Sequence, residues 1–369
     1  RAAEQGTGAC PLQSVTMHPG FATPEGASRY AARFPQAEAA SFFNTVEGCR
    51  VSSLGMGTYL GGMDDATDRS YIQAALAALR GGINFLDTSL NYRHQRSEKC
   101  IGAAIAELLK SGEIERDEFF VCTKAGFLVP GAIPAEVLSA ADIAGNMHSM
   151  APAFLRDQLA RSRRNLGLET IDVFYLHNPE TQLAYVSPGE FEKRILTAFE
   201  TLESLAAEGQ IRFYGTATWN GYRAAPDSSE ALSLEKLVAL ARQAGGPGNR
   251  FRFIQLPFNL AMVEALSYPN QSVNGQRRPV LEAAQHFGIN VVASASLLQS
   301  RLCGHLPEAL VERMPGACTD AQRAIQFVRS APGISVALAG MGRPEHVVEN
   351  LGLAAIPPYS TEEFRQVFS

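Results

Sequence analysis

The chain has 369 residues, 46% of them hydrophobic, and 32 Lys and Arg against 37 Asp and Glu give it a net charge of -5. The length is large for an ordinary domain but usual for an α/β barrel folded as one unit. The mildly acidic balance lacks the basic patch that nucleic acid or an anionic membrane requires, and no apolar run reaches the roughly 18 residues that span a bilayer, so neither is an expected partner.

Residues 1–38 mix Gly, Ala, Pro and polar residues without sustained periodicity and are expected to be an irregular extension lying over a domain at 39–369. From Val51 onward, apolar runs at 51–57, 83–87, 119–124, 171–177, 211–217, 252–257, 290–295 and 334–340 read as strands. Each is followed by a helical period, at 66–81, 96–110, 151–166, 190–208, 233–244, 279–287, 319–331 and 345–354. Continuous apolar strands alternating with amphipathic helices mean a parallel sheet covered by helices, and eight units close a TIM (β/α)8 barrel. The competing open sheet would want a phosphate loop after the first strand, and Gly55-Met56-Gly57-Thr58-Tyr59-Leu60-Gly61 is a loose variant of one. Gly61-Gly62-Met63-Asp64-Asp65 follows, so no helix starts where a pyrophosphate needs it.

Cys10, Cys49, Cys100, Cys122, Cys303 and Cys318 show no paired spacing and read as free thiols of a reducing compartment, for which a cytoplasmic location is expected. The chain begins at Arg1 rather than Met, which leaves room for a leader removed upstream. The seven histidines do not fall at ligand spacings, and no metal site is expected.

Several strands end on proton-active side chains. The second delivers Asp87 and then Tyr92, the third ends on Lys124, and the fourth on His177. Strand C-termini share one mouth of a barrel, so these four groups are expected to meet. A phenol is a poor acid at neutral pH unless an ammonium stabilises its anion, which Lys124 supplies, while Asp87 keeps the lysine charged. His177 is suited to hydrogen-bonding a substrate oxygen, and the set fits reversible proton transfer to a carbonyl. Each residue alone also has an ordinary structural reading, as turn former, packed aromatic or snorkelling strand end. The long loop 125–150, with Phe127 and His148, is a candidate pocket wall, and 220–231 and 264–278 are candidate lids.

The run Gly82-Ile83-Asn84-Phe85-Leu86-Asp87-Thr88-Ser89, Tyr92, Ser97-Glu98, Lys124 in TKAG, His177 in DVFYLHNPE and Glu349-Asn350 resemble the signature of the aldo-keto reductases in order and spacing. The resemblance spans about Val51 to Leu353 and implies a TIM barrel that reduces carbonyls, or oxidises alcohols, sugar-like substrates among them, with NADP(H) favoured over NAD(H). It casts Tyr92 as general acid, Lys124 and Asp87 as the pair that tunes it, and His177 as the group orienting the carbonyl. Cofactor contacts are expected from Gly57, Thr58, Asp87, Thr218, Gln255, Ser294, Leu297, Gly340, Arg343, Glu349 and Asn350, with His346 standing where an arginine is frequent. Trp219, the single tryptophan, joins Tyr92 and His177 as a substrate contact.

Two departures mark this chain. The Ser-Asn pair after strand five is replaced by Ala217 and Thr218, and the stacking aromatic of strand seven by Ser294. They keep two alternatives open: a regulatory barrel that senses cofactor without turnover, and an epimerase that retains its cofactor. The oligomeric state is not legible.

Overall fold

The computed structural model describes residues 16–133 and 138–368, so Cys10 and Pro134 lie outside the described residues. Eight parallel strands close on themselves in chain order: β1 (Leu54–Gly57), β2 (Phe85–Asp87), β3 (Phe120–Ala125), β4 (Ile171–His177), β5 (Ile211–Ala217), β6 (Phe251–Pro257), β7 (Asn290–Ser294) and β8 (Ile334–Gly340). The last rejoins the first, with Ala337 paired to Leu54 and Gly340 to Gly57. This is the expected (β/α)8 barrel, and β3 and β4 are buried at every position, as a sheet covered on both faces requires.

The covering helices are α1 (Asp65–Gly81), α2 (Arg96–Ser111), α3 (Pro152–Leu166), α4 (Pro188–Ala207), α5 (Leu234–Gly245), α6 (Val280–Phe287), α7 (Asp320–Ser330) and α8 (Pro344–Leu351). Their ends follow local chemistry. Asp64 caps α1 by accepting from the Thr67 N–H, and Gly82 ends it at φ 108, a left-handed value that a side chain would oppose. Alternate strand residues, Phe85, Phe120, Val173, Tyr175, Phe213, Phe253, Val292 and Val336 among them, fill the barrel interior. A second, larger apolar layer joins strands to helices.

Two expectations near the start are revised. The apolar run 51–57 is two strands rather than one: Cys49–Ser52 pairs antiparallel with Phe43–Val46, and β1 begins only at Leu54. Glu47 and Gly48, both at positive φ, make the tight turn, and Val46, Cys49 and Val51 join the interior cluster. Asn84 fastens this hairpin to β2, its Oδ1 accepting from the Ser52 N–H and its Nδ2 donating to Arg50 and Glu118 carbonyls.

The described part of the N-terminal extension is not irregular. It carries helices at Pro24–Ala31 and Pro35–Ala39, each opened by a proline, with Ala27 and Tyr30 buried. Eight and five residues are too few to print a helical period on the sequence. Residues 264–278 are not an open loop either: Gln271–Val273 and Gln276–Arg278 pair as a hairpin beside α5 and α6.

Candidate active site

Asp87 closes β2 and Lys124 nearly closes β3, and both are buried. The Lys124 Nζ donates to Asp87 Oδ1 at 2.5 Å and to the Thr88 carbonyl at 2.8 Å. It also stands 4.8 Å from the centre of the Tyr92 ring. Gln255, from β6, donates its amide to the other Asp87 oxygen at 2.8 Å. That bond, between residues 168 apart, exists only because the barrel closes. Gln255 therefore braces the carboxylate as well as lining the pocket.

Burial pushes Lys124 down, but the Asp87 carboxylate and the Tyr92 phenol beside it more than offset this and hold it charged, above its ordinary value. Burial raises the Tyr92 phenol and the Lys124 ammonium opposes it, the net being a rise that keeps the phenol protonated. His177, at the end of β4, is driven well below the usual histidine range by burial, by Lys124 and by His148, so its ring is neutral. Its Nδ1 lies 3.3 Å from Ser89 Oγ, which is itself 2.6 Å from Asn91 Oδ1. The rings of Tyr92 and His177 meet edge to face at 5.8 Å, and Tyr59 and Phe127 flank them at 5.1 Å from Tyr92 and His177 respectively. Asp87, Tyr92, Lys124 and His177 are thus brought together at one mouth.

Around them runs a trough in three adjoining parts. The part beside the catalytic candidates is bordered by Tyr59, Asn91, Tyr92, Phe127, His177, Asn178, Thr218, Trp219, Gln255, Ser294 and Gln299, and holds about 1050 Å³ of open space. It adjoins a second part containing Gly57, Thr58, Asp87, Ser294, Ser296, Leu297 and Gly340. A third, past Gly340, is bordered by Thr67, Ser70, Ser300, Gly342, Arg343 and His346. Gly57, Thr58, Asp87, Thr218, Gln255, Ser294, Leu297, Gly340 and Arg343 all lie on it. Glu349 and Asn350 do not: Glu349 Oε1 accepts from Thr319 Oγ1 at 2.6 Å and its carbonyl from Gln322 Nε2 at 2.5 Å, binding α8 to α7.

His148 is not the pocket wall expected of it. It is fully buried behind His177, donating from Nε2 to the His177 carbonyl at 2.7 Å while Gln182 Nε2 meets its Nδ1 at 3.1 Å. Ser89, His148 and Glu180 were missed as working groups because their roles depend on partners from other strands. For Glu180 the only signal was its place three residues after His177.

A family model described as the aldo/keto reductase family matches residues 53–305. The chain is 26% identical over 299 residues to a D-threo-aldose 1-dehydrogenase of Pseudomonas sp, covering 76% of this chain and 82% of that protein. Among solved structures it is similar to an aldo/keto reductase from Klebsiella pneumoniae in complex with NADP and acetate, with a TM-score of 0.61, 22% identity and coverage of 88% of this chain and 93% of that one. The glycerol dehydrogenase of Gluconobacter oxydans gives a TM-score of 0.63 at 20% identity over 88% and 93% of the two chains. At these identities the structural likenesses speak for the fold.

Proposed function

This chain belongs to the aldo/keto reductase family, and from that premise we propose that it catalyses reversible hydride transfer between NADP(H) and a small uncharged carbonyl or alcohol, with Tyr92 as general acid and base. The observation that carries the reading is the Lys124 ammonium held between Asp87, at 2.5 Å, and the Tyr92 ring, at 4.8 Å.

The trough suits a dinucleotide. Thr218 Oγ1 and Ser296 Oγ are buried on it with no hydrogen-bond partner among the described residues, as groups awaiting a polar ligand are. A Cβ added at Gly340 would meet nothing within 4 Å, so its glycine leaves that stretch of trough open. Thr218, Gln255 and Ser294 would hold the end nearest Tyr92, and Arg343, at the far end, supplies the cation that favours an additional phosphate and hence NADP(H). When bound, the nicotinamide supplies or accepts the hydride.

The remaining work falls to the chain's own groups. Tyr92 gives its proton to the carbonyl oxygen, and Lys124 stabilises the phenolate left behind. The neutral His177, its ring edge to face with Tyr92, orients the same oxygen from the other side. Among the described residues, the pocket beside them is bordered by no Lys, Arg, Asp or Glu, but by Asn91, Asn178, Thr218 and Gln299 with the aromatic faces of Tyr59, Phe127 and Trp219. Amides over aromatic faces suit hydroxyl-bearing, sugar-like substrates, and leave a carboxylate without a cation to meet it.

Tyr92→Phe tests the assignment. NADPH oxidation with glyceraldehyde is expected to fall about 10²- to 10⁴-fold, while NADPH affinity stays within about threefold. A variant with full turnover would remove Tyr92 from the role.

A further inference from the structure

Glu180 has no part in the chemistry above, yet it is 5% exposed and is bonded to the backbone of Trp219, a residue on the pocket's rim. It sits in the short turn Pro179–Ala184 that follows β4. Its Oε1 accepts from three consecutive backbone N–H groups of the loop after β5: Trp219 at 2.9 Å, Asn220 at 3.3 Å and Gly221 at 3.3 Å. Those three N–H groups have no other acceptor among the described residues. Successive N–H groups converging on one point make a concavity suited to an anion, and here the chain fills it with its own carboxylate.

The neighbouring residues are held by other means. The Thr218 N–H donates to the Gln255 carbonyl at 2.8 Å, and the Leu232 N–H to the Gly221 carbonyl at 2.8 Å. Glu180 is therefore the group that fixes the N–H side of residues 219–221. Trp219 is the residue among them that borders the pocket, 40% exposed, in company with Tyr92 and His177. The second oxygen, Oε2, is buried with no partner among the described residues. An unpaired buried acceptor is a cost that stability alone does not call for.

We propose that Glu180 is a positioning residue for substrate recognition, its carboxylate holding the Trp219 indole as a fixed wall of the pocket. The proposal rests on the reading of that pocket as the substrate site. Because Thr218 is tied to β6 independently, loosening the loop acts on the substrate more than on the cofactor.

The chain's single tryptophan makes the test direct. In Glu180→Ala, Trp219 emission moves to the red and acrylamide quenches it about twofold more strongly, because an untethered indole is better solvated. With glyceraldehyde, KM rises about tenfold while kcat stays within about threefold. Glu180→Gln, whose amide oxygen still accepts the three bonds, restores both readouts toward the wild type. If Glu180→Ala does not fold, Glu180→Asp, with its carboxylate drawn back by one methylene, shows the same signs at smaller size. Unchanged emission and quenching in either folded variant overturns the proposal, as does a loss of kcat at constant KM. Absence of turnover with every carbonyl would instead defeat the proposed function, while the fluorescence of the free protein would still decide the part played by Glu180.

Discussion

The Lys124 ammonium has the Asp87 carboxylate, the Thr88 carbonyl and the Tyr92 ring about it, and 0% of it is exposed. Removing one partner of such a buried pair costs roughly 3–5 kcal/mol, whereas well-packed apolar replacements for both are often as stable, so the fold alone gives little reason for the pair. The proposed proton transfer at Tyr92 gives one. His148 illustrates the same logic in a supporting group. Both its ring nitrogens are engaged in the neutral form, and burial holds its pKa down to about 4 from 6.5. Below 6.5 the unfolded chain takes up a proton that the folded chain refuses until about 4. The stability due to this group is therefore complete above pH 6.5 and declines as pH falls toward 4, by about 2 kcal/mol at about pH 5. Urea unfolding at about pH 7 and about pH 5 is expected to show a decline smaller by about that amount in His148→Gln; equal declines would contradict the assignment. Asp87, Tyr92, Lys124 and His177 were legible in the sequence because each stands at or just beyond a strand end, where position alone implies the mouth. The bracing of Asp87 by Gln255 and the bond of the Glu180 carboxylate to the backbone of Trp219 were not, since each pairs residues that only the closed barrel brings together.

Between the residues and the barrel stand the strand exits, and the one after β3 is tightly fitted to the one after β4. A Cβ added at Gly126 would lie 2.5 Å from the His177 carbonyl oxygen and 2.6 Å from His148 Nε2. The loop from Gly126 to Met150 thus reaches the site through backbone contact, with the Ser149 N–H donating to the Gly126 carbonyl at 2.8 Å. Gly126→Ala is expected to cost roughly 1–3 kcal/mol, because backbone and a buried ring cannot both give way. Its kcat is expected to fall as well, since displacing the His177 carbonyl turns the imidazole away from the substrate oxygen. Urea unfolding and steady-state rates on one preparation check both, and a variant as stable and active as the wild type would show the contact to be slack. At this scale the eight strand-helix units were readable from apolar runs and helical periods. The hairpin at 43–52 was not, because its second strand runs into β1 with only Ser53 between them, and the extension's helices were too short to show a period.

The whole molecule places a pocket bordered, among the described residues, by no charged side chain beside a trough that ends on Arg343 and His346, with the catalytic candidates at their junction. Its closed barrel was foreseen from the count of eight units, but the continuity of the trough was not, since it is assembled from the loops after β1, β5, β7 and β8. None of the described helices is long and apolar enough to cross a membrane. The measurement that tests the account most directly is a titration of nucleotide-free protein with NADPH and with NADH, followed by calorimetry and by the fluorescence of Trp219. The expected result is one molecule of NADPH bound per chain, quenching Trp219 and binding at least about tenfold more tightly than NADH, as a cation at the phosphate end predicts. If neither nucleotide binds, the trough is not a dinucleotide site and the proposed hydride transfer at Tyr92 is contradicted.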